Sequence, residues 1–242
     1  MAQRALVLHR WDYQETSLIL DLFTEDNGRV RVIAKGAKRP KSPWRGLTQP
    51  FMLLLTEFRG RGDLKTLTLL EPAQTSQKLL LQGEKLYSGF YLNELIQRVV
   101  PAEAEAPELF QSYFSALQSM IASERVEPAL RQFEWQLLQH LGAAFDWHYD
   151  ADNGDALTDF EWCYFIPDHG FVTQARDDQQ RAYSVADINK LAAWDVDDES
   201  RLRQLKYIMR DALSVYLGEK PLRSRELFRS NTHGNRRTKG AE

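Results

Sequence analysis

The sequence predicts an α+β chain, with a five-stranded N-terminal barrel over residues 1–78 and a mostly α-helical domain over residues 79–242. Three observations carry that expectation. Apolar residues recur at strand spacing up to about residue 75 and at helix spacing after Pro72. A single cysteine, Cys163, excludes an intrachain disulfide and a multi-cysteine metal site, so an apolar core must hold the fold, and 43% hydrophobic residues supply one. The formal net charge of -3 hides a mosaic: residues 1–80 carry 13 Lys or Arg against 8 Asp or Glu, 81–139 carry 4 against 8, 140–200 carry 3 against 14, and 201–242 carry 11 against 4.

The strands come first. RALVLHR, SLILDLFT, GRVRVIAKG, FMLLLTEFR and LKTLTLLE are short runs rich in Leu, Val and Ile, separated by the turn signals DNG, RPKSP and GRGD. Five short strands in a basic module suggest a small closed barrel, of which the oligonucleotide/oligosaccharide-binding (OB) fold is the commonest nucleic-acid-binding form. Spacing alone does not separate it from other five-stranded barrels.

The helices follow. GEKLYSGFYLNELIQRVV is apolar over so wide an arc that it belongs between neighbours. APELFQSYFSALQSMI places Leu109, Phe110, Tyr113, Phe114, Leu117, Met120 and Ile121 on one stripe, with Pro107 suited to the first turn. EPALRQFEWQLLQHLG repeats the pattern through Leu130, Phe133, Leu137 and Leu141, and Gly142 is placed to end it. Later helices are expected to begin near Ser184 and Ser200 and to stop before Gly218. There is no internal repeat, no apolar run of about 18 residues and no secretory pattern in MAQRALVLHR, so the expected location is the cytoplasm.

The third strand and the loop after it hold the main chemical signal. Alternation in RVRVIAK turns Val30, Val32 and Ala34 to one face and Arg29, Arg31 and Lys35 to the other. The loop adds Lys38, Arg39, Lys41 and Arg45 around Trp44, and the next hairpin adds Arg59, Arg61 and Lys65. Cations track a phosphate backbone, and a ring among them can stack on an unpaired base. The competing account is a solvated strand-loop surface with an anchoring tryptophan. Ten cations against two acids, Glu57 and Asp63, between residues 28 and 65 favour nucleic acid.

Catalytic signatures are absent. The chain has no Walker loop, no GxSxG elbow, no HExxH and no dinucleotide fingerprint, and His9, His140, His148, His169 and His233 are scattered. The expectation is a protein without enzymatic activity and without a cofactor.

ALVLHRWDYQETSLILDLFTEDNGRVRVIAKGAKR, LTQPFMLLLTEFRGRGDLKTL, YSGFYLNELI and YLGEKPLRSRELF, in that order from near residue 4 to near residue 229, resemble the bacterial DNA repair protein RecO family of recombination mediators. The resemblance implies an OB domain followed by a helical domain, and binding of single- and double-stranded DNA at the nucleoid. It also implies strand annealing, and joint work with RecR that lets RecA displace single-strand-binding protein. An RNA-binding barrel protein of translation or RNA processing is the alternative that the basic module would serve equally well.

Many members of that family carry a four-cysteine zinc site where this chain has an acidic insertion near residues 146–182 with Cys163 alone. His148, Cys163 and His169 do not make a four-ligand set, so no zinc is expected. Asp150, Asp152 and Glu161 mimic positions 1, 3 and 12 of a calcium loop, but the turn position holds Asp155 while Gly154 lies one residue early. The resemblance further implies docking of the acidic C-terminal tail of single-strand-binding protein on the helical domain. The candidates are Arg131, Arg203, Lys206 and Arg210, the last three on a helix whose apolar stripe is Leu202, Leu205, Met209 and Tyr216. The basic C-terminal tail completes the charge pattern.

Overall fold

The computed structural model describes residues 1–73, 79–224 and 226–227, so the basic tail beyond residue 227 lies outside the described residues. Alternating aliphatic side chains build the first element group: β1 (Gln3–Tyr13), β2 (Ser17–Thr24), β3 (Gly28–Ala34), β4 (Leu54–Arg59) and β5 (Leu64–Pro72). They close into a barrel in the order β1-β2-β3-β5-β4, with β3 and β5 parallel and β4 returning to β1. This is an OB-like barrel. Its interior is filled by Val7, Leu18, Leu20, Leu22, Val30, Val32, Leu54, Leu67 and Leu70. Each such burial contributes roughly 1.5–3 kcal/mol.

Two irregularities shape the barrel. Register shifts between Val7 and His9 on β1, and again between Glu57 and Phe58 on β4. At the first, Val7 opposes Leu22 and faces the core, while His9 opposes Asp21 and faces outward. The bulged residue, Leu8, keeps a buried carbonyl, which accepts from Asn93 Nδ2 at 2.8 Å. The Tyr113 hydroxyl donates to Asn93 Oδ1 in turn.

Asn93 and Tyr113 belong to α1 (Glu84–Val99) and α2 (Pro107–Ala122). These helices pack with the barrel, so one compact unit comprises residues 1–126 together with the chain from Lys220. Phe23 of β2 meets the rings of Phe110 and Tyr113 at 5.7 and 6.0 Å. A Cβ on Gly89 of α1 would come within 2.8 Å of Phe51 and Leu81 side-chain atoms, so a glycine permits that close approach. After the last helix the chain returns to α1. Arg98 binds the carbonyls of Lys220 and Pro221, and Glu94 accepts from the Arg223 and Ser224 amides at 2.9 Å and from the Ser224 hydroxyl at 2.7 Å.

The second unit, residues 127–219, contains α3 (Glu127–His140), the strands β6 (Trp162–Ile166), β7 (Gly170–Val172) and β8 (Ala182–Ser184), then α4 (Val185–Ala192) and α5 (Glu199–Leu217). Asp198 caps α5 by accepting from the Arg201 amide at 2.9 Å. The expected hairpin is β6–β7, extended by β8 on the other side of β6. Its core is aromatic. Trp135, Phe145, Trp147, Phe165 and Phe171 form successive ring contacts at 4.7 to 5.6 Å, each contributing about 0.5–1.5 kcal/mol beyond area burial. Beneath this cluster Asp150 is 3% exposed and binds the Asp152 amide, the Thr173 amide and the Thr173 hydroxyl at 2.6 to 2.7 Å. Both carboxylate oxygens are thus committed to closing the loop. Cys163 is buried against the Tyr183 carbonyl, whereas His169 is exposed and pairs with Asp152 at 2.8 Å. Among the described residues no group of three or more His, Cys, Asp or Glu could hold a metal ion, and no helix is long and apolar enough to cross a membrane.

Gly28 has φ +61, and a Cβ there would lie 1.8 Å from the Ala104 carbonyl oxygen. Gly28→Ala is therefore expected to cost about 2 kcal/mol or more, from left-handed strain plus a backbone clash. That corresponds to a fall in melting temperature of about 4 to 8 °C by calorimetry. At Asp150, burial raises the carboxyl pKa, but the hydrogen bonds from Thr173, Asp152 and Asn153 outweigh it and hold the value below the usual aspartate range. The stability this group confers is present above the unfolded value and is lost as pH falls through the lower folded one. Near-ultraviolet dichroism of the aromatic cluster should show Asp150→Asn to be destabilised at neutral pH, with the difference from the parent protein shrinking on acidification.

Candidate nucleic-acid interface

Strand alternation and the loop after β3 set most of the basic residues outward. Arg31, Lys35, Lys38, Arg39, Lys41, Arg45, Arg59 and Arg61 are all exposed. Among the described residues only Lys38 of this set forms an ion pair, with Asp12 at 3.2 Å. Consecutive turns compact the loop: Arg39, Ser42, Arg45 and Leu47 donate to the carbonyls of Gly36, Arg39, Ser42 and Trp44 at 3.0 to 3.2 Å. The Lys38 amide donates to the Thr16 carbonyl at 2.9 Å, tying this loop to the β1–β2 turn. The cations of this loop therefore lie at the end of the barrel where β3 leaves it.

Three of the expected DNA-contacting residues are engaged inside the protein instead. Arg29 does sit on the outer face, but α1 covers that end of it. Its guanidinium donates to the Gln97 carbonyl and lies 3.8 Å from buried Asp21. Lys65 pairs with Glu103 at 2.8 Å, its side chain 12% exposed. Trp44 is half-buried and packs with Leu47 and Phe58 against the barrel core. Alternation tells the inner face of a strand from the outer one, but not which part of the outer face a helix covers.

Asp21 marks the boundary. Its carboxylate accepts from Gln97 Nε2 at 2.9 Å, and burial pushes its pKa up against the opposing pull of that hydrogen bond and of Arg29, Arg31 and His9. Beyond it the outer face is open. His9 and Trp11 lie stacked there, centroids 4.5 Å apart and planes 3° from parallel, with the Arg31 guanidinium 5.7 Å from the Trp11 ring centre. Sequence reasoning passed over both rings. The alternation of His9, Trp11 and Tyr13 was the available signal, and the bulge concealed which way it faced.

On the second unit, Arg203, Lys206 and Arg210 are exposed along α5, while Leu202, Leu205 and Met209 are buried in that unit's core. The stripe expected to receive a partner is thus internal except for Tyr216, which is half-buried and donates its hydroxyl to Asp168 at 2.9 Å. Arg131 differs from expectation: it is 5% exposed and pairs with buried Glu134 at 2.8 Å. Its isolation in the sequence reflects a buried ion pair, which leaves no lip on the surface for a partner.

Comparison with known proteins adds a separate line of observation. Residues 1–76 match the family model described as recombination protein O N terminal, and residues 80–226 match recombination protein O C terminal. The chain is similar to the DNA repair protein RecO of Idiomarina loihiensis, with 87% identity over 229 residues that cover 95% of this chain and 98% of the relative. It is 46% identical over 230 residues to the RecO protein of Haemophilus influenzae strain 86-028NP, covering 95% and 96%, and 44% identical over 229 residues to that of Actinobacillus succinogenes, covering 95% of each.

The burial of Trp44 and Arg131 has a measurable consequence. Trp44→Ala should destabilise the protein by about 1–3 kcal/mol, since a half-buried ring leaves a partial cavity. The folded fraction should keep its single-strand affinity. Arg131→Ala should destabilise the protein by about 3 kcal/mol, because it removes the guanidinium that pairs with the buried Glu134 carboxylate. Chemical denaturation read alongside oligonucleotide titration checks both.

Proposed function

The chain belongs to the recombination protein O family of DNA repair proteins, and from that premise we propose that it is a DNA-binding recombination mediator acting without bond chemistry. It binds single- and double-stranded DNA and anneals complementary strands. With RecR it helps RecA load onto DNA coated with single-strand-binding protein. The observation that carries this reading is the exposure of the cations on β3 and the loop after it, Arg31, Lys35, Lys38, Arg39, Lys41 and Arg45, together with Arg59 and Arg61 at the β4–β5 hairpin.

Annealing requires that two polyanions approach and that bases remain free to pair. A protein surface with unpaired cations screens phosphate repulsion, and releases condensed counterions as it does so. No proton transfer or covalent step is needed, so no cofactor is part of the mechanism. For the acidic tail of single-strand-binding protein, the exposed row Arg203, Lys206 and Arg210 on α5 is the favoured receptor, since successive helical turns present its charges together. Because the apolar stripe of α5 is internal, this docking relies on charge.

The test is annealing of complementary DNA oligonucleotides with no nucleotide added. The protein should accelerate pairing, and log affinity for single strands should fall with log salt at about 0.7 per phosphate contact. Lys35→Ala, Arg39→Ala and Lys41→Ala should each flatten that slope by about the same amount. Arg210→Ala should weaken an acidic tail peptide while leaving annealing intact. Failure to anneal DNA, combined with retention on cellular RNA, would replace this proposal with an RNA-binding role.

A further inference from the structure

The outer face of β1, β2 and β3 is divided in two. At one end Phe23 and Arg29 are covered by α1 and α2. At the other end no helix among the described residues is packed on Trp11, whose neighbours are the stacked His9 ring and Arg31 and which is 38% exposed although it sits within a strand. Pairing registers place Trp11 opposite Ile19 and Ile19 opposite Ile33, so an apolar strip crosses three strands, with both isoleucines half-buried. Cations border it. Arg31 lies two residues along β3 from Ile33 on the same face, and Lys35 two residues the other way, just past the end of that strand. Both are exposed.

We infer that Trp11, extended by the stacked His9 ring, is a base-stacking platform that takes an unpaired nucleobase of single-stranded DNA, with Arg31 and Lys35 holding the adjoining phosphates. The inference rests on the DNA-binding role proposed above and adds to it a site and a preference for the unpaired form. The chemistry follows from the arrangement. A tryptophan needed for the core would be buried like Leu20 or Leu22, both fully so. Trp11 instead presents an aromatic and aliphatic strip between guanidinium and ammonium groups, where bases meet the apolar part and phosphates the cations. The Arg31 contact, 5.7 Å from the ring centre, orders the indole before ligand arrives. The His9 ring is held by its Nδ1, 2.8 Å from the Arg10 carbonyl, so the two-ring stack is already assembled. A duplex keeps its bases stacked on one another and presents only grooves and backbone, so it gains nothing from this strip without unstacking.

Fluorescence anisotropy with an oligothymidine and with a blunt duplex of equal length separates the possibilities. Trp11→Ala should weaken the single strand roughly five- to a hundredfold, leave the duplex within about twofold and leave the salt slope unchanged, because stacking releases no counterion. Trp11→Phe should restore most of the loss. Trp11→Leu, which preserves the apolar contact without a π face, should not. Equal losses on both ligands, full rescue by leucine, or an unaltered single-strand affinity would each overturn the platform. Were the unmodified protein to bind neither ligand, the mediator role itself would fall, and the platform with it. Normal binding that is indifferent to Trp11 would remove the platform alone.

Discussion

The carbonyl of Leu8 is the point on which the N-terminal unit turns. A bulge frees it from the ladder and buries it, and an unsatisfied buried carbonyl costs about 1–3 kcal/mol. Asn93 supplies the missing donor at 2.8 Å, and Tyr113, fully buried, supplies a donor to Asn93. One chain of hydrogen bonds thus joins β1, α1 and α2. It fixes the helices on the barrel and stabilises the register shift that turns His9 and Trp11 outward. Burial raises the Tyr113 pKa, so the phenol stays protonated and can serve only as a donor to that amide oxygen.

Electrostatics follow from the same division of the barrel surface. Where α1 covers the outer face, positive charge is neutralised locally: Arg29 beside Asp21, and Lys65 with Glu103 from the loop before α2. Where no helix reaches, Arg31, Lys35 and the cations of the β3–β4 loop face solvent. Sequence charge counts merge these two populations, and only the second is available to a polyanion. Asp21 belongs to the boundary, its carboxylate held between Gln97 and the guanidinium groups.

Much of the architecture was legible because it depends on periodicity. The five apolar runs became β1 to β5, Leu109, Phe110, Tyr113, Leu117 and Met120 of the α2 stripe are buried while Phe114 and Ile121 at its margin are half-buried, and Gly218 follows the end of α5. Barrel closure was foreseen from strand number and length. The pattern of the acidic insertion did not reveal that an aromatic cluster and Asp150 hold that region. Individual site residues were read less well, for a physical reason. Burial of an outward-facing side chain depends on elements distant in sequence, as Arg29 depends on Gln97 and Trp44 on the core beneath its loop. A charge in a helix can equally be half of an internal pair, as Arg131 is with Glu134. His9 and Trp11 were missed because a one-residue bulge reverses the alternation that would have revealed them.

The clasp between Glu94 and the backbone at Arg223 and Ser224 has a consequence for biosynthesis. The second unit is inserted, in chain order, between Val126 and Lys220. A ribosome therefore delivers the barrel and its two helices long before the segment that Glu94 and Arg98 await. At roughly 5 to 20 residues per second, the intervening stretch takes several seconds or more to emerge. During that interval the nascent first unit carries a carboxylate and a guanidinium whose backbone partners have not yet been translated. Closure of the first unit thus waits for the turn at residues 220–224, and a transcript truncated before that turn would yield a first unit without its clasp.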